Sequence, residues 1–313
     1  MNHQRDTDLT LARLRAAVEG KLSKPLVDEV LEAVEDAHVK FWGAIQPPDF
    51  TELMVLLTIY HDITMIGYQR LHNRLHVGYP IGDGTIRHNA QNIRRVLFTW
   101  AQTKIIEGDQ DSWTKASKDV PLPADYKGPC LWADSTDFAL ERKRGMGRKS
   151  DDWSYKLNHP GQRYMIVMDG RSFIRQVWGG YSPKVHDSQY ISLTSTWWEE
   201  HLDNVAVIAD EHFAALKHRL THIKFFTPIR KPPVPKSVRP GARITVLSKK
   251  QEAHNTAQRR VRARVERPFS WIKETFSCLK FPFAEGKDQQ DCLAWFAIGC
   301  WNVMNAKDNV LEP

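Results

Sequence analysis

Apolar residues along this chain follow two different periods, and the change falls near residue 128. Before it the spacing is helical. Leu26, Val27, Val30, Leu31 and Val34 share one side of a helix that enters through Pro25, with Ser23 in capping position. QPPDF (46–50) breaks the chain, and Asp49 can start the next element. TELMVLLTIYHDI (51–63) predicts a buried helix, GYQRLHNRLH (67–76) a short second helix and VGYPIGDG (77–84) a turn. In TIRHNAQNIRRVLFTWAQ (85–102), Ile86, Ala90, Ile93, Leu97 and Trp100 recur at three- and four-residue spacing. One face of that helix is therefore buried, and the other presents Arg87, Gln91, Arg94 and Arg95. Helix, short helix, turn, helix is the outline of a helix-turn-helix, although this turn exceeds the usual three or four residues.

After residue 128 short apolar runs replace the helical period. PCLWAD (129–134) is one. RYMIVMDGRSFIRQVW (163–178) predicts two strands around an Asp169–Gly170 turn. HDSQYISLTSTWWEEHL (186–202) predicts a helix, NVAVIAD (204–210) a buried strand, EHFAALKHRL (211–220) a helix and HIKFF (222–226) a strand. The helical stretches RRVRARVERPFSWIK (259–273) and DCLAWFAIGCWNVMNA (291–306) close the pattern. Strands followed by alternating helices and strands imply a mixed α/β sheet. The expected division is 1–45, N-terminal helices; 46–105, a helix-turn-helix-like region; 106–128, a linker; and 129–308, the α/β domain.

A 42% hydrophobic content in 313 residues supports a folded core rather than a disordered chain. No apolar run reaches the length of a membrane span, and MNHQRDTDLTLARLR lacks a signal-peptide core, so a soluble, intracellular protein with no membrane partner is expected. The four cysteines form no CxxC pair, which favours reduced core thiols over a disulfide framework or a zinc site. The eleven tryptophans are expected in the core rather than stacked on bases.

The net charge of +7 suits a polyanionic partner. Two stretches contain no acid: Arg142–Lys149 (RKRGMGRK) and Arg230–Arg243 (RKPPVPKSVRPGAR). Glycine and proline make both loops. Arg142, Lys143, Arg144, Arg148 and Lys149 are candidate phosphate contacts, or else a nuclear import signal.

Asp134 and Asp210 each end an apolar run, and in open α/β sheets chemistry collects at the carboxyl ends of strands. Each alone can be read as a cap. If the strands are neighbours, the two carboxylates can share a hard cation such as Mg²⁺. Asp169 is accounted for by its hairpin turn; Asp137, Asp187 and Glu211 are lesser rivals. In the arginine-rich helix, at about 100° per residue, Val261, Val265, Phe269, Ile272 and Phe276 fall in one arc. Arg259, Arg262, Glu266 and Lys273 fall in a second arc beside it, which sets Glu266 at the edge of the core. Pro268 should kink the helix just after that glutamate.

Arg262, Glu266 and Lys273, with three and then six residues between them, resemble the signature of bacterial insertion-sequence DDE transposases. The wider pattern resembles the PIF/Harbinger group: ADSTDF, SYKLNHPGQRYMIVMDGRSFI, GGYSPKVHDSQYI, VIADEHF, VERPFSWIKETFSCLK and CWNVMNA, in that order, preceded by the helix-turn-helix-like stretch. The resemblance covers roughly residues 50–306. It implies an RNase H-like nuclease domain with Asp134, Asp210 and Glu266 as a triad holding two Mg²⁺ or Mn²⁺ ions. It further implies cleavage and joining of double-stranded DNA at transposon ends and target, with Arg259, Arg262 and Lys273 on phosphates. A homodimer or larger homo-oligomer, a Myb-like partner protein and a nuclear location are also implied. Three positions depart from the pattern: Arg259 stands where tyrosine is expected, Ser135 where glycine is, and Glu211–His212–Phe213 follow Asp210. A non-catalytic DNA-binding descendant and a plain metal-dependent nuclease are the alternatives.

Overall fold

The computed structural model describes residues 9–42, 49–75, 81–118, 120, 128–143, 147–230 and 247–309. Five helices come first: α1 (Leu11–Leu22), α2 (Lys24–Asp36), α3 (Phe50–Thr64), α4 (Tyr68–Arg74) and α5 (Asp83–Lys104). Pro25 lies in the first turn of α2, where its missing N–H costs nothing, but the Ser23 side chain makes no capping bond. The 106–128 stretch, expected to be a linker, carries a helix, α6 (Gln110–Ser117), which Asp109 and Ser112 close with a reciprocal capping box. Its Trp113 is buried against the sheet.

The sheet contains β1 (Cys130–Ala139), β2 (Trp153–Ser154), β3 (His159–Met168), β4 (Ile174–Tyr181), β5 (Ala206–Ile208) and β6 (Lys224–Phe226). β1 is central. It pairs antiparallel with β3 and parallel with β5; β3 in turn pairs antiparallel with β4 and β2, and β5 parallel with β6. Helices cover both faces of this mixed sheet, and the all-helical region precedes it, an architecture consistent with an RNase H-like fold. The Asp169 hairpin forms as expected: its carboxylate accepts from the N–H groups of Arg171 and Phe173 and pairs with Arg175.

Three local expectations change. The apolar run ending at Asp134 continues as strand to Ala139, because β3 stays paired through Ala139↔Gly161. Asp134 thus lies mid-strand. The helix expected after Asp210 is a 3-10 turn, Glu211–His218, and the 186–202 helix is split into α7 (Asp187–Leu193) and α8 (Ser195–His201).

Side chains of β1 alternate between two cores. Cys130, Trp132 and Phe138 face a core built with the N-terminal helices, α9 (Lys249–Thr275), α10 (Ser277–Lys280) and α11 (Lys287–Asn309). Leu131 and Ala133 face the other, which includes Tyr190, Trp197, Trp198 and Phe213. There Trp178 stacks on Trp198, and Trp197 meets both edge-to-face. The first core is continuous from Leu9 to Cys300, so the N-terminal helices and the sheet share one interior. α5 and α11 approach closely: a Cβ at Gly299 would lie 2.9 Å from the Ala101 Cβ. The chain remains helical through Pro268.

Candidate metal and nucleic-acid site

The alternation of β1 sorts its polar centre, Asp134-Ser135-Thr136-Asp137, into two sets. Ser135 and Asp137 point to the second core. There Asp137 is held bidentately by Arg163 and accepts from Ser154, while Asp187 accepts from the Ser135 hydroxyl at 2.6 Å. Both acids are thereby committed to structure. Asp134 and Thr136 point to the α9 face, with Trp132 and Phe138.

Asp210 reaches that same face. β5 pairs parallel with β1 through Trp132↔Ile208, and Asp210 follows two residues past the end of β5, lining a cleft together with Gln258 and Arg262 of α9. The Asp210 backbone is extended, and its carboxylate caps the 3-10 turn by accepting from the His212 N–H at 2.7 Å. α9 is fastened over both strands. Gln258 donates to the Ala209 carbonyl at 2.8 Å, and the Trp132 indole donates to the Val261 carbonyl at 3.0 Å. One turn further along, Glu266 is exposed at the edge of the buried stripe Val261, Val265, Phe269 and Ile272.

Arg262 pairs with the first of these acids. Its guanidinium donates to Asp134 Oδ2 at 3.0 Å. Burial disfavours its charge, but Asp134, Asp210 and Glu266 outweigh that and hold its pKa above the ordinary arginine value. Its Nε is buried with no partner. Burial likewise pushes the Asp134 carboxyl up, against the opposing influence of Arg262, the Ser135 N–H and Lys156. Lys156, which the sequence reading did not single out, donates to the Ser135 carbonyl at 3.1 Å. Lys273 donates to the Thr136 hydroxyl at 2.7 Å and lies over the Phe138 ring. Burial, then Lys156, lower its pKa to about 8.

An open cleft of about 790 Å³ adjoins this site, lined by Asp210, His212, Arg230, Gln258, Arg259 and Arg262 among others. Glu211, the remaining rival acid, pairs with Arg230 at 3.0 Å. Arg259 is exposed on α9.

The other DNA-contact candidates divide. On α5, Arg87 and Arg95 are exposed and Gln91 is half-buried, as the helical period requires. Arg94 is a correction. It is completely buried, pairing with Asp62 and Glu285 and donating to the Tyr68 hydroxyl at 2.9 Å, so it presents nothing to a ligand. Its apolar stem extends the buried stripe, and its charge is met by acids that the sequence places far away. Arg142, Lys143, Arg148 and Lys149 are exposed, Arg142 lying over the Trp153 ring. Arg144 and most of the 230–243 basic stretch lie outside the described residues.

No helix among the described residues is long and apolar enough to cross a membrane. Residues 125–303 match the family model described as the Transposase DDE domain. No curated protein and no solved structure matches the chain.

Proposed function

This chain belongs to the Transposase DDE domain family, and from that premise we propose that Asp134, Asp210 and Glu266 hold divalent cations at which DNA is cut and joined. The observation carrying this reading is the place of Arg262, which donates to Asp134 at 3.0 Å, lines the cleft beside Asp210 and lies one helical turn before Glu266 on α9. The donor set fits: three carboxylates, with neither sulfur nor imidazole among them, suit a hard cation such as Mg²⁺ or Mn²⁺. A pair of such ions would lower the pKa of the attacking water or 3′-hydroxyl and stabilise the leaving oxygen.

The chain's own residues do the rest. Asp134 is fixed by its place inside β1 and oriented by the Ser135 N–H, which donates to Oδ1 at 2.8 Å. The His212 N–H fixes Asp210 in the same way, donating to Oδ1 at 2.7 Å. Glu266, exposed at the rim, is accessible to a DNA strand. Arg259, Arg262 and Lys273 lie along the same helix, where they can hold phosphates on either side of the scissile bond. Arg87, Gln91 and Arg95 on α5, with Arg142, Lys143, Arg148 and Lys149, form the outer DNA-contact set.

The finer assignment is a PIF/Harbinger-type enzyme acting on transposon ends and target DNA in the nucleus, as a homodimer or larger homo-oligomer with a Myb-like partner. Its support is the ordered set of sequence blocks. The deciding experiment is nicking of supercoiled plasmid in Mn²⁺. Wild type should nick; Asp134→Asn and Glu266→Gln should not, while binding DNA nearly as well. Nicking by Glu266→Gln would remove that residue from the site. Failure of all three proteins, despite salt-sensitive binding, would favour a non-catalytic DNA binder.

A further inference from the structure

We propose that His61, Asp62, Cys278 and Glu285 form a second cation site, for one zinc-class ion, that joins α3 to α10 apart from the carboxylates of β1 and α9. Single donor atoms of His61, Asp62 and Cys278 all lie within 4.8 Å of one another, and all three residues are buried. His61 Nδ1 sits 2.7 Å from the Ile66 carbonyl. A carbonyl only accepts, so Nδ1 carries the proton and Nε2 is left with a free lone pair, the arrangement that metal-binding histidines use. Tyr68 stacks on the imidazole with 4.3 Å between centroids and fixes its plane.

Nε2 faces Cys278 Sγ at 3.9 Å and Glu285 Oε1 at 3.6 Å. Among the described residues Glu285 Oε1 is buried with no hydrogen-bond partner, although Oε2 of the same carboxylate is taken by Arg94. Zinc bonds of about 2.0–2.3 Å at tetrahedral angles set neighbouring donors roughly 3.3–3.6 Å apart. The two Nε2 separations therefore need to close by only a few tenths of an ångström, while the Asp62 oxygen lies within 4.8 Å of the His61 and Cys278 donors. Arg94 grips both oxygens of Asp62, which leaves each with lone-pair capacity and orients the carboxylate, as outer-shell partners of metal ligands do.

Charge supplies an independent argument. Asp62 and Glu285 bring two negative charges into the interior and Arg94 brings one positive, so the cluster carries an excess negative charge. Cys278 is a buried free thiol. When a divalent ion binds, the thiol proton leaves to solvent and the thiolate bonds the metal. Two positive charges then balance the resulting two negative ones. Sulfur and nitrogen donors select zinc over the hard cations suited to the Asp134 site. A cavity of about 430 Å³ lined by His61, Tyr68, Gln91, Cys278 and Glu285 gives the ion a way in.

The test uses the full chain equilibrated with Co²⁺. The carboxylate site holds no sulfur, so a thiolate-to-cobalt charge-transfer band reports cysteine ligation alone. One equivalent of cobalt with that band, displaced by zinc, is expected. The band should vanish in Cys278→Ser and weaken in His61→Gln. Zinc measured after dialysis should match the same stoichiometry, and circular dichroism should show both variants folded. Wild-type protein that is folded but shows no thiolate band would overturn the proposal. A band that persists in Cys278→Ser would overturn it equally.

Discussion

Replacing Arg262 with methionine isolates what the guanidinium does among the three acids. Methionine keeps most of the length and apolar stem and removes the charge. The Asp134 side chain is only 10% exposed and that of Arg262 27%, so the pair falls between two measured regimes. Removing one partner of a fully buried pair costs about 3–5 kcal/mol, whereas a surface pair contributes about 1 kcal/mol or less. A loss of about 2 kcal/mol in metal-free protein follows. Because burial already raises the Asp134 carboxyl, the variant should raise it further. The sign is fixed by linkage: a carboxyl whose folded pKa is raised lowers stability above that pKa, and this penalty fades as pH falls toward the unfolded value. The variant's deficit should accordingly shrink in acid. If the guanidinium competes with a cation for the same oxygens, the variant should also bind Mn²⁺ more tightly, by roughly tenfold to thirtyfold for about 1.4–2 kcal/mol. Urea unfolding of wild type and variant, across a Mn²⁺ series, measures both quantities. Unchanged or weaker Mn²⁺ binding by Arg262→Met would refute the competition and leave Arg262 as a structural partner of Asp134 alone.

Two further outcomes follow from the same geometry. Lys273, with its pKa lowered to about 8, should be charged below that pH and neutral above it. The phosphate affinity of wild type should drop between pH 7 and 9, and Lys273→Arg should hold it flat; equal pH profiles would exclude a phosphate role. The cost of burying its charge should also disappear as pH rises from about 8 toward the ordinary lysine value, so Lys273 adds stability across that window. At the α5–α11 contact, Gly299→Ala should destabilise by about 1–3 kcal/mol through overpacking, less whatever better helix propensity restores. Thermal denaturation checks this: because the new Cβ would also meet the Ala101 Cα at 3.0 Å and Trp100 at 3.2 Å, adding Ala101→Gly should not restore wild-type stability, and a Gly299→Ala variant as stable as wild type would refute the close contact.

The parts of the fold legible in the sequence were those carried by local periodicity. The buried stripe of α9, the Asp169 hairpin and the apolar strands at 130 and 206 could each be read from their own residues. What escaped depends on partners distant in the chain. Nothing in ADSTDF says that β3 will carry the strand past Asp134 to Ala139; only the pairing register does. Arg94 fits the polar face of α5 by spacing, yet Asp62 and Glu285 draw it inside. His61 and Cys278 meet across 217 residues, so no spacing rule for metal ligands could have found them. Lys156 acts through a backbone carbonyl, for which sequence has no signature. The acids of the candidate site were legible because two followed apolar runs and the third interrupted a basic helix. The bond from Arg262 to Asp134, 128 residues away in the chain, was not.

The tight seat of α5 on α11 bears on how this molecule would measure DNA. Gly299 admits Ala101 to a distance that no larger pair would allow, and both helices belong to the core that also holds the α9 face of β1. Arg87 and Arg95 therefore ride on the same rigid frame as Asp134. A sequence gripped by α5 would lie at a set number of base pairs from the bond that is cut, as marks on a ruler lie at set distances from its end.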